Sequence, residues 1–220
     1  MNRKLKILLI VSIVIIFILI IMTLLYKFNI IQHKQYSNRD FGIEQYISFI
    51  DKDNDEIDDQ KDILNSAKEY VATKPKYQSK YYATGYSNDE YGVCTDVLAI
   101  ALKNSGYDLM ELVNEDIISN NEKYDIDIID KNIDFRRVKN LDVYFKNNSI
   151  SLTTDLSSIE EWQGGDIIVF KDHIGIISDK RNRNGVPFLI HHASPIQINY
   201  EEDVLELYDK DYIIGHYRIS

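Results

Sequence analysis

The sequence predicts an α+β fold preceded by one membrane-spanning helix. Three observations carry this reading. An apolar run from Ile7 to Leu25 opens the chain, interrupted by Ser12 and Thr23 alone. Helical apolar spacing fills the middle of the chain. Short apolar runs separated by turn residues fill the last third, and such segregation of helices from strands gives α+β rather than alternating architecture.

A helix needs roughly 20 apolar residues to cross a bilayer core. Arg3, Lys4 and Lys6 precede the run, which places the N-terminus in the cytoplasm. The exit, Met22-Thr23-Leu24-Leu25-Tyr26, lacks the small residues of a signal-peptidase site, and the single cysteine, Cys94, is far from any lipidation site. Residues 1–27 therefore read as an uncleaved signal anchor, with the rest of the chain extracytoplasmic at the cell membrane. The net charge is −10 over 220 residues. The anchor region carries four bases and no acid, leaving 21 bases against 35 acids elsewhere. That balance excludes a nucleic-acid partner. One cysteine excludes a disulfide framework and a cysteine-rich zinc site.

Residues 28–75 read as a stalk containing helix, acidic loop and helix. Ile43, Ile47 and Ile50 lie on one face of a short helix over residues 41–50. Ile63, Leu64, Ala67 and Val71 mark a second helix, ended by Pro75. Residues 76–220 form the main domain. It opens with a tyrosine-rich loop to Tyr91. Val97, Leu98, Ala101 and Leu102 share a helix face from Cys94 to Ser105, with Gly106 suited to the C-terminal cap. Asp108 and Glu111 resemble a capping box for a helix over residues 109–118. An acidic loop spans residues 120–134, and Leu141, Tyr144 and Phe145 mark a helix over residues 138–147. Strands follow at residues 167–170, 173–178, 188–192 and 212–219, with an Asn184-Gly185 turn between the second and third.

Cys94 follows Gly92-Val93 and opens a helix. Helix N-termini carry partial positive charge and free N–H groups, which favour a thiolate and can stabilise an oxyanion. A thiolate nucleophile needs a base and a group that orients the base. His173 opens one strand as the candidate base, and His191 ends the next as the candidate orienting group. The pleat admits only one of His191 and His192 to the face of His173, and the turn length leaves that choice open. The competing reading of Cys94 is a small buried hydrophobe.

The runs Gly164-Gly165-Asp166-Ile167-Ile168-Val169-Phe170, His173-Ile174-Gly175-Ile176-Ile177 and Phe188-Leu189-Ile190-His191 resemble the NlpC-type cell-wall cysteine peptidase superfamily. More closely, Gly92-Val93-Cys94-Thr95-Asp96-Val97, the stretch from Asn132 to Val138 and Gly215-His216-Tyr217 resemble a bacterial domain-of-unknown-function family usually placed in that superfamily. The resemblance runs from about Asp53 to the C-terminus. It implies a papain-like fold, with the catalytic helix packed on a small antiparallel sheet. It also implies Cys94 as nucleophile, His173 as base and His191 as third member, with no cofactor for catalysis. Better-known members carry Asp-Cys-Ser-Gly at the nucleophile, where this chain has Val93-Cys94-Thr95-Asp96. Resemblance and location together imply a hydrolase of amide bonds in peptidoglycan stem peptides. The alternatives are a thiol acyltransferase or amidase on another substrate, or a non-catalytic wall-binding protein. Asp96, Arg136, Arg137 and Tyr82 are the candidate substrate-binding residues, because Arg pairs carboxylates bidentately and the tyrosine precedes the nucleophile. A structural Asp–Arg pair is the competing reading. His216 reads as structural.

Asp51, Asp53, Asp55, Asp59 and Asp62 occupy positions 1, 3, 5, 9 and 12 of an EF-hand-like loop, with the Ile57 carbonyl at position 7. Glu56 replaces the usual glycine and Asp62 the bidentate glutamate. The expectation is a weak structural Ca²⁺ site with helices on both sides.

Overall fold

The computed structural model describes residues 2–27, 29–31 and 33–219. Two compact units make up the chain, Met1–Lys34 and Gln35–Ser220. The first contains α1 (Arg3–Lys27), 25 residues with none buried, long and apolar enough to cross a membrane.

The second unit is mixed α+β. Its elements run α2 (Asp59–Ala72), β1 (Lys76–Tyr77), β2 (Tyr91–Gly92), α3 (Cys94–Asn104), α4 (Leu109–Ser119), α5 (Lys131–Asp134), α6 (Val138–Asn148), β3 (Ile150–Ser151), β4 (Ile167–Phe170), β5 (Ile174–Arg181), β6 (Pro187–Ile190), β7 (Glu201–Glu202) and β8 (Ile213–Arg218). Strands β3 to β8 form one antiparallel sheet in the order β3-β8-β4-β5-β6-β7, and β1 and β2 pair in parallel. One sheet face offers Ile167, Val169, Ile174, Ile176 and Ile190 to the apolar faces of α2, α3, α4 and α6. The other presents Ile168, Phe170, Ile177, Leu189 and Ile213 to Trp162, Val186 and Leu205. Because both faces are covered, β4 is buried at all four positions, which explains its unbroken apolar run.

Asp108 caps α4 by accepting the Glu111 N–H, as its spacing predicts. The expected helix over residues 41–50 does not form. A 3-10 turn occupies Asn38–Phe41, and the segment beyond it lacks helix. Ile47 is 63% exposed and Ile43 and Ile50 are only partly buried, so the isoleucine stripe makes no continuous packed face. A short helix without a buried face does not repay its nucleation cost. Side chains from outside the segment instead take the backbone donors: Gln163 accepts the Tyr46 N–H at 3.2 Å and Asp58 the Ser48 N–H at 3.1 Å. The segment from Gln35 onward belongs to the same compact unit as residues 76–219. The acidic loop expected over residues 120–134 contains a 3-10 turn and α5.

A buried polar hub ties the sheet to α2. Asp166, fully buried, accepts hydrogen bonds from Arg218 Nε at 2.7 Å, Gln60 Nε2 at 2.8 Å, the Gln163 N–H at 2.8 Å and His216 Nε2 at 2.9 Å. His216 also meets the Thr153 carbonyl through Nδ1 at 2.7 Å and stacks on Trp162 at 3.7 Å, so it is structural as its sequence context suggests. Burial acts to raise the Asp166 pKa, but His216 and Arg218 hold it below the usual value. Gly165 makes this turn possible: its φ is +96°, and a Cβ there would lie 2.2 Å from the Gln60 carbonyl oxygen.

Candidate active site

Cys94 is the first residue of α3, after an extended Val93. The Asp96 carboxylate folds back to accept the Val93 N–H at 2.8 Å and pairs with Arg136 Nη2 at 2.8 Å. Both side chains are 2% exposed. Arg136 Nη1 donates to the Lys80 carbonyl at 2.6 Å, and its guanidinium lies 5.1 Å from the centre of the Tyr82 ring. Tyr82 donates to Asp89 at 2.7 Å. Asp96, Arg136 and Tyr82 are therefore consumed in a clamp that fixes the start of the nucleophile helix. They are not free to hold substrate, which corrects the expected binding role. Arg137 is half exposed, 3.5 Å from Asp134, and takes no part in the clamp.

The strand ends bring His173 and His191 together. His173 Nε2 lies 2.8 Å from His191 Nδ1, and His191 Nε2 lies 3.0 Å from Glu202 Oε2. Gly175 permits this approach. A Cβ there would sit 2.7 Å from Leu189 Cδ1, 2.9 Å from the Ile190 carbonyl oxygen and 3.3 Å from His191 Cβ. His192 turns elsewhere, edge-on to Tyr77 and Tyr200, with its buried Nδ1 lacking a partner. Of the two histidines that strand parity leaves open, His191 is the one that meets His173.

This chain of contacts sets the tautomers. A carboxylate accepts, so His191 Nε2 carries hydrogen toward Glu202. His191 Nδ1 is then the acceptor, and His173 Nε2–H donates to it. The lone pair of His173 resides on Nδ1, the nitrogen a general base uses toward a neighbouring thiol. Glu202 escaped the sequence reading because it lies on a two-residue edge strand with no apolar alternation. Gln197 helps to place it, donating to its Oε2 at 3.0 Å.

Electrostatics correct a second expectation. Burial pushes the Cys94 thiol up to about 11; the N–H groups of Ile174 and Thr95 act in the opposite direction, and Asp96 adds to the rise. Desolvation outweighs the helix N-terminus, so the resting sulfur is a thiol rather than a thiolate. Burial, with His191 and His192 nearby, pushes His173 down to about 3. The resting pair is neutral. The sulfur is reached by the N–H of Ile174, the residue after His173, but no hydrogen bond joins Cys94 to the His173 ring.

Residues 64–219 match the family described as Domain of unknown function (DUF1287). The chain belongs to that family. It is 35% identical over 153 residues to the Uncharacterized protein YijF of Escherichia coli (strain K12), a match covering 66% of this chain and 72% of that one. No solved structure matches. The DUF1287 segment contains Cys94, His173, His191 and Glu202, while the acidic loop lies outside it.

In that loop the carboxylates of Asp51, Asp53 and Asp55 converge, with ligand atoms within 4.8 Å of one another. Glu56 adopts φ 72°, the left-handed conformation that the missing glycine would supply. Asp62 lies near enough that Asp55, Asp53 and Asp59 add to the effect of burial in raising its pKa. Asp59 departs from the expected ligand set: its carboxylate accepts the Lys52 N–H at 2.8 Å and the Tyr107 hydroxyl. The Ile57 N–H is bound by Asp55 at 2.8 Å. The entering helix expected before the loop is absent.

Proposed function

We propose that this DUF1287 protein is a membrane-anchored, extracytoplasmic cysteine hydrolase of the NlpC type with a papain-like arrangement, cutting amide bonds of peptidoglycan stem peptides. The observation that carries the reading is the His173–His191–Glu202 relay, in which the N–H of Ile174, the residue after His173, reaches the Cys94 sulfur at the start of α3. In the reaction, His173 Nδ1 takes the Cys94 proton as sulfur attacks the amide carbon. Because both groups rest neutral, proton transfer accompanies attack and no preformed ion pair is needed. The C–N bond then breaks as His173 returns the proton to the leaving amine, leaving a thioester on Cys94. Water, deprotonated by His173, attacks the thioester and releases a carboxylic acid and the thiol. Backbone N–H groups at the start of α3 are the candidate oxyanion donors.

A second reading, a non-catalytic wall-binding protein retaining the fold, is favoured by a Cys94 sulfur that is partly buried and held as a thiol. Digestion of purified wall by the full chain and by Cys94→Ala decides between them. Release of soluble muropeptides by the wild type alone supports the hydrolase. Equal release, or none by either, removes it. Mass analysis of defined muropeptides separates hydrolysis from transfer to a second amine. The acidic loop enters this reading as a weak structural Ca²⁺ site held by Asp51, Asp53, Asp55 and Asp62, with no part in the chemistry.

A further inference from the structure

On the sheet face away from the helices lies a cavity of about 820 Å³ that the hydrolase chemistry does not use. Leu156, Ile159, Val186, Ile213 and one aromatic ring, Tyr208, supply its apolar lining. Thr153, Thr154, Ser157 and Asn184 supply hydroxyl and amide groups. Two of the three lining acids, Glu206 and Asp155, have partners within the protein. Asn182 and Asn184 donate to Glu206 at 2.7 and 3.0 Å, and Asp155 accepts the Ser157 N–H at 3.0 Å.

The geometry points to a carbohydrate-binding site, taking a short chain of N-acylated amino sugars. Three features select that class. The Tyr208 ring offers a platform for the C–H face of a sugar ring, and apolar side chains of the lining accept an acyl methyl. Paired Asn–Glu groups and hydroxyls read sugar hydroxyls through donors and acceptors in one place. Three acids against Lys210 as the lone base make the lining hostile to phosphate or other polyanions. The volume falls within the range of small-ligand sites, about 300–1,000 Å³. Aromatic contacts lead from this cavity to the candidate dyad. The Tyr208 ring lies 4.8 Å from Phe170, and Phe170 lies 5.8 Å from His173.

The site is argued from its lining alone and stands without the hydrolase reading, so binding is measured rather than activity. The test is calorimetric titration of chitotetraose into the detergent-solubilised full chain, as wild type and as Cys94→Ala. Both are expected to give saturable heat. Thr154→Trp, an exposed substitution that fills the cavity mouth, is expected to weaken binding at least about tenfold. Tyr208→Ala is expected to do the same, with Thr154→Trp standing as the decisive variant if the alanine chain is unfolded by circular dichroism. No heat with the wild type, or equal affinity in Thr154→Trp, overturns the proposal. So does tri-lysine binding in place of the sugar and lost in Glu206→Gln, which would make the cavity a cation site. Wall digestion dependent on Cys94 without chitotetraose binding would retain the hydrolase and remove this site.

Discussion

Cys94 is a nucleophile candidate held as a thiol. Its thiolate fraction rises tenfold per pH unit below a pKa of about 11, and the thiolate is the reactive form. Alkylation by iodoacetamide is therefore expected to be slow at pH 7 and to climb steadily through pH 10. Cys94 is the single cysteine, so mass spectrometry follows it without ambiguity. A plateau near neutrality would mean the sulfur is ionised at rest. Under the proposed hydrolase chemistry, Glu202 acts through His191 as a positioning residue. Glu202→Gln weakens the acceptor that sets both tautomers. Turnover is expected to fall by about 10²-fold with KM little changed, because the loss is in proton transfer rather than binding. Glu202→Asp is expected to recover part of the loss, while the ¹⁵N shifts of His173 report the tautomer directly. A purely structural Glu202 would leave those shifts in place.

At the scale of elements, the clamp under α3 and the hairpin that presents His173 bear most of the strain on substitution. Asp96→Ala would leave the buried Arg136 guanidinium without its carboxylate. Breaking a buried pair by removing one partner costs about 3–5 kcal/mol, and chemical denaturation is expected to show a loss of that order. Gly175→Ala would drive a methyl toward the Ile190 carbonyl and the His191 Cβ, separating His173 from His191. Activity is expected to drop well beyond any change in melting temperature. These same elements show what could be read in advance. The helices beginning at Cys94, Leu109 and Val138, and the central strands, were legible because each buries a periodic or continuous apolar face. His173 was legible as the residue that opens a strand, whereas the choice of His191 over His192 rested on the family resemblance, because the turn length between the strands could not be read. The failures share one cause. The helix over residues 41–50, the substrate role of Asp96 and Arg136, and the Asp59 ligand depended on partners distant in sequence: Gln163, Lys80 and Tyr107. Thiolate character failed for a related reason, since a helix N-terminus is a local feature and the desolvation that opposes it comes from the whole packed core. The acidic loop can be checked in its own right. Calorimetry with excess Ca²⁺ is expected to show weak, saturable heat in the wild type and none in Asp53→Ala, and absence of wild-type heat would leave a solvated acidic turn.

For the molecule as a whole, the buried histidines determine how it meets acid. His173 is pushed down to about 3 by burial and its histidine neighbours, and His192 down to about 4 by burial and His191. Both are neutral in the folded protein at pH 7. On unfolding, each regains an ordinary pKa near 6.5. Between roughly pH 6.5 and pH 3–4 the unfolded chain binds more protons than the folded one, so stability falls as pH falls through that window. The stabilisation is fully present above pH 6.5 and is lost stepwise below it. Asp166 adds a second loss further down. Its folded pKa lies below 3.8, so its contribution is present above that value and disappears as pH falls through the lower, folded one. Melting temperature measured against pH should therefore begin to decline below about pH 6.5, well before carboxylates titrate. His192→Phe keeps an aromatic ring between Tyr77 and Tyr200 and removes one titrating group. Its melting curve is expected to be flatter between pH 6.5 and 4 than that of the wild type. Parallel curves would show that the His192 imidazole is protonated at little cost within the fold.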